Sequence, residues 1–75
     1  MKEVNSETIP PSIRKLLSFA TSEIKVDQEY ENYLNSLNRQ LYSFELEGEI
    51  VGCIGIEFSS IIECEIKHIA VSSVQ

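Results

Sequence analysis

Apolar residues recur along this chain first at helical and then at alternating spacing. Ile13, Leu16, Leu17 and Ala20 stand three and four residues apart, which is one stripe of a helix, and Arg14, Lys15 and Ser18 take the wet side. Pro10 and Pro11 precede the stripe, and proline suits a first helical turn, where its missing N–H has no partner to lose. The pattern predicts a helix from about Pro11 to about Ala20. A second stripe runs through Tyr30, Tyr33, Leu34 and Leu37. Asp27 is its expected N-cap, with Val26 just ahead, and Asn38 its expected stop. Glu29, Glu31, Asn32, Asn35 and Ser36 are expected to face water, with acidic residues in the first turn suiting the helix dipole. Residues 2–5 are expected to form a short first strand.

After Asn38 the pattern becomes alternating. Tyr42, Phe44 and Leu46 alternate with Ser43, Glu45 and Glu47, and Ile50, Gly52, Ile54, Ile56 and Phe58 alternate with Val51, Cys53, Gly55 and Glu57. A loop at Glu47-Gly48-Glu49, with Gly48 left-handed, pairs Leu46 with Ile50, Phe44 with Gly52 and Tyr42 with Ile54. That register puts both apolar sets on one face, and a slip of one residue would separate them. Ser59-Ser60-Ile61-Ile62 then leads to Glu63–Val71. Cys64 and Ile66 alternate there with Glu63, Glu65 and Lys67, whereas Ile69-Ala70-Val71 is apolar throughout and is expected to be buried on both faces.

The order of short strand, two helices and a three-stranded antiparallel meander predicts one α+β domain over residues 1–75, with helices on one sheet face. The sequence reaches Val74-Gln75 directly after its most apolar strand segment, so the chain reads as a truncated domain with a bare last strand.

Charge narrows the partners. Twelve acidic against six basic residues give a net charge of -6, which disfavours nucleic acid and suits a cationic amine or basic peptide better. The opening Met1–Glu7 holds no apolar run, so no secretory leader is expected, and the longest apolar run is too short for a membrane helix. A reducing cytoplasm is the simplest compartment. Cys53 and Cys64 lack metal-pair spacing and read as buried free thiols on neighbouring strands that could face each other. His68, the one histidine, falls in the alternation with Cys64, Ile66 and Ala70, as a partly buried imidazole rather than a catalyst, and no metal site is expected. Glu57 and Glu63 read as solvated, and Gly52 and Gly55 as allowing close helix packing.

Two stretches carry a family resemblance: Gly48-Glu49-Ile50-Val51-Gly52-Cys53-Ile54-Gly55, and Glu65-Ile66-Lys67-His68-Ile69-Ala70-Val71-Ser72-Ser73. With the two helices before them they resemble the N-terminal half of a GNAT domain, the family of acetyl-CoA-dependent N-acetyltransferases. In that family a hairpin leads into a strand beginning I-V-G, and a fourth strand often reads E-I-x-x-I-A-V. An R/Q-x-x-G-x-G/A loop then opens the helix that holds the coenzyme A pyrophosphate. These 75 residues stop about where that loop should start.

The resemblance implies acetyl transfer from acetyl-CoA to a primary amine. By position, Ile69, Ala70 and Val71 supply backbone N–H groups to the thioester and pantetheine arm. Glu65 stands where one branch of the family keeps its general base; its other reading is a solvated carboxylate beside Lys67. Tyr30 and Tyr33 are core residues by spacing, and the resemblance places their helix beside the acceptor amine. Without the pyrophosphate loop the 75 residues are expected to be inactive and to bind acetyl-CoA weakly or not at all. The alternative is a small acidic interaction module that pairs residues 63–71 with a partner, as a homodimer or strand-swapped assembly.

Overall fold

The computed structural model describes residues 1–60 and 62–72. Ile61 of the expected linker and Ser73, Val74 and Gln75 lie outside the described residues. The element order is β1 (Lys2–Glu3), α1 (Pro11–Ala20), α2 (Val26–Asn35), β2 (Arg39–Leu46), β3 (Glu49–Phe58) and β4 (Cys64–Val71). The strands form one antiparallel sheet in the order β1-β2-β3-β4. This is the expected α+β arrangement.

Helix α1 has the predicted bounds and buries Ile13, Leu16 and Leu17. Helix α2 begins one residue before the expected cap. Lys25 is its N-cap, Asp27 lies in the first turn, and Ser36 closes it. As the second helical residue Asp27 is not in a capping position; its Oδ1 lies 2.5 Å from Arg14 Nη2 and so joins the two helices. Leu37 falls beyond the helix and is fully exposed, so the stripe ends at Leu34. Strand β1 is shorter than expected, although Val4 N–H still donates to the Leu41 carbonyl at 2.7 Å.

The hairpin departs from the expected pairing at its tip. Phe44 faces Gly52 and Tyr42 faces Ile54, as expected, but Leu46 faces Glu49 and Glu45 faces Ile50. Glu47 (φ 54°) and Gly48 (φ 84°) make a tight two-residue turn, both in the left-handed region. Val51 is the extra residue of a bulge that restores the inner register. A second bulge leaves Lys67 unpaired on β4, between the pairs Ile56–Ile66 and Gly55–His68.

Paired residues point to the same sheet face. The helices cover the face of Leu41, Ser43, Cys53, Gly55, His68 and Ala70, and not the bulky set. The core joins Ile13, Leu16, Leu17, Val26, Tyr30 and Tyr33 to Leu41, Cys53 and Ala70. Burying each large aliphatic side chain contributes about 1.5–3 kcal/mol. Tyr42, Phe44, Gly52, Ile54, Ile56, Ile66, Ile69 and Val71 share the opposite face, which no element covers among the described residues.

Several sequence expectations are corrected by this arrangement. Ile69 and Val71 are 58% and 66% exposed, so only Ala70 of that run is buried. Cys64 is exposed and paired with Phe58, whereas Cys53 is buried and paired with Ala70, so the thiols do not face each other. The Lys67 bulge breaks the alternation and moves His68 to the face opposite Ile66. Gly52 lies on the uncovered face, against the Phe44 and Val71 side chains.

Candidate functional site

The helix-covered face turns polar at one end of the sheet. Tyr33 reaches from α2 across β3 to β4, where its hydroxyl lies 2.5 Å from His68 Nδ1. The two rings meet edge to face, with centroids 5.7 Å apart. The path is open because residue 55 is glycine: a Cβ there would overlap the Tyr33 hydroxyl and lie 2.8 Å from its Cε1. On the far side of the imidazole, Nε2 stands 3.7 Å from Glu29 Oε2.

A second group adjoins the first. Arg39 Nε donates to Glu57 Oε1 at 2.9 Å, and Lys67 Nζ stands 3.7 Å from Glu57 Oε2 and 3.5 Å from Glu65 Oε1. Glu57 is therefore paired rather than solvated. Hydrogen bonding from Arg39, with Arg39 and Lys67 charge in support, holds its carboxyl below the usual range.

These environments shift the titration of both Tyr33 and His68. Burial pushes the Tyr33 hydroxyl up to about 12, the charge of Arg39 acting against it, so it stays a donor. Burial also lowers the His68 imidazole below its ordinary value; Glu29 opposes that shift, and Arg39 and Lys67 reinforce it. The Glu29 carboxylate on the Nε2 side favours the neutral tautomer with its proton on Nε2, in which Nδ1 accepts from the Tyr33 hydroxyl. Such an imidazole is held neutral in the closed form, and the Glu29 carboxylate beside it only partly offsets the cost of charging it.

Tyr33 is thus brought to this cluster, and Tyr30 is not. Tyr30 is buried and donates to the Ser6 carbonyl at 2.7 Å. Glu65 sits at the exposed rim, opposite Glu57 in the ladder, with Lys67 Nζ 3.5 Å from its Oε1. Ile69, Ala70 and Val71 lie on the last strand of the sheet. Ser72 N–H donates to the Val51 carbonyl at 2.7 Å. Antiparallel alternation therefore turns the backbone groups of Ala70 towards β3, and those of Ile69 and Val71 towards the outer edge.

Neither a protein-family model nor a curated protein matches this chain.

Glu29, Arg39, Glu57 and Lys67 are site members that sequence reasoning missed. One signal was available. Extending the Tyr42–Ile54 pairing by three residues sets Arg39 opposite Glu57, as observed. The approach of Glu29 to His68 had no such signal, because it depends on how α2 lies over the sheet.

Proposed function

We propose that this chain forms the first half of an N-acetyltransferase domain of the GNAT type, which moves an acetyl group from acetyl-CoA to a primary amine. The observation that carries the reading is the edge strand β4. Its E-I-K-H-I-A-V segment ends with the N–H groups of Ile69 and Val71 directed outwards, over a small buried Ala70. An extended ligand chain with amide carbonyls adds to such an edge as a strand would. The pantetheine arm has that character.

Acetyl-CoA would supply the activated acyl group. Within the chain, Ile69 and Val71 hold the arm, and the exposed Glu65 takes the proton that the amine must lose, directly or through water. Tyr33 lines the acceptor side from α2, with Tyr30 deeper in the core. The pyrophosphate finds no counterpart among the described residues. Gly48 lies in the hairpin turn and Gly52 and Gly55 lie within β3, so no glycine opens a helix. The 75 residues are therefore expected to bind acetyl-CoA weakly and to show no turnover.

Amide spectra of ¹⁵N-labelled chain, recorded with increasing acetyl-CoA, test the reading. Ile69 and Val71 should shift first. No shift at millimolar ligand, or shifts confined to the helices, would overturn it.

A second reading rests on the same edge. Ile66, Ile69 and Val71 are all more than half exposed, which suits pairing of β4 with a second copy. It predicts a dimer in sedimentation equilibrium whose stability rises with concentration and ignores acetyl-CoA. A monomer at high concentration would dismiss it.

A further inference from the structure

We infer that Tyr33, His68 and Glu29 form a proton-sensitive latch fastening the edge strand β4 to helix α2, with His68 as a positioning residue for the β4 edge. The latch stands whether or not that edge carries acetyl-CoA, because none of its contacts uses the outer backbone edge of β4.

Three observations support it. First, β4 is held on one side only among the described residues, and its ladder to β3 is interrupted at Lys67, immediately before His68. A bulged edge strand is the part of a sheet that opens most readily. Second, α2 lies against β2, two strands away, yet two of its side chains converge on this one residue of β4. Third, Tyr33 reaches β4 by lying across residue 55, the one point on its path where a glycine leaves room. The contact is thus built into three elements at once.

Protonation works against the closed form. Nδ1 becomes a donor, so the Tyr33 hydroxyl must turn from donor to acceptor. The new cation also faces Arg39 from β2 and Lys67 from β4. Glu57 on β3 offers little relief, being engaged by both of those cations. Glu29 on α2 opposes these effects from 3.7 Å, without outweighing the loss of hydration. Acid therefore favours a form in which His68 is hydrated and β4 is released from α2.

The single histidine makes the test direct, since one imidazole ring signal reports the latch. That signal would be followed by NMR from about pH 7.5 to about pH 5, together with amide exchange of Ala70 and Ser72 normalised to the β2–β3 hairpin. The expected result is a loss of β4 protection by about threefold to tenfold relative to the hairpin, with the midpoint of the His68 titration. His68→Gln should make the ratio independent of pH. Tyr33→Phe, which keeps the ring and removes the donor to Nδ1, should raise the His68 midpoint. The inference is overturned if His68 titrates like an exposed imidazole with β4 unchanged, if β4 and the hairpin lose protection together, or if the Tyr33→Phe midpoint does not rise. The last measurement decides the matter even if His68→Gln does not fold.

Discussion

The Tyr33 hydroxyl reaches His68 Nδ1 over a glycine, at 2.5 Å, and this contact joins α2 to a strand that α2 otherwise barely touches. The relationship places a steric demand on residue 55, where a Cβ would overlap the Tyr33 ring and hydroxyl. Gly55→Ala should therefore destabilise the fold by about 1–3 kcal/mol through overpacking. In a Tyr33→Ala background the same change should cost far less, because the obstructed ring is gone. Urea denaturation of the four proteins checks the coupling, and additive effects would refute the contact.

Acid should weaken the fold in two stages. The folded-state imidazole of His68 lies below its unfolded value, so its contribution is full above the unfolded value and is lost as pH falls through it towards the folded one. Glu57 behaves likewise at lower pH: its folded carboxyl is depressed, and its contribution is lost as pH falls from the unfolded value through the folded one. Denaturant midpoints against pH should show both limbs. Glu57→Gln should flatten only the more acid one.

The two thiols should react at different rates. Cys64 is exposed, whereas Cys53 is buried and its thiol is pushed up to about 11 by burial. Iodoacetamide should label Cys64 at least about a hundredfold faster in the native protein, and both equally in denaturant. Mass spectrometry of timed samples reads the ratio. Comparable native rates would contradict the burial of Cys53.

The hairpin turn offers a stabilising change. Glu47 is held at φ 54°, a region asparagine enters more readily than glutamate. Glu47→Asn should raise stability by about 0.5 kcal/mol, and Gly48→Ala, at φ 84°, should lower it by about 1 kcal/mol. Thermal melts of the two variants check the signs.

Much of the fold was legible in local pattern. The bounds of α1 follow from its stripe and its prolines, and the inner hairpin register follows from Tyr42, Phe44, Ile54 and Gly52. The face on which the helices lie was not legible. Bulky residues mark one face strongly, yet the helices pack on the other, where Ser43, Cys53, Gly55 and Ala70 are small enough to let them approach. Hydrophobicity reports which residues leave water, but close packing of a helix on a sheet depends on volume.

The sequence by itself determined the element types, their order and the antiparallel meander, because these rest on periodicity and turn chemistry within a few residues. Tertiary structure alone decided that His68 points to the helices, that Tyr33 and Glu29 meet it, and that Lys67 joins Arg39 on Glu57. A one-residue bulge on β4 reverses which side each residue faces, and no local pattern in Glu63–Val71 records it.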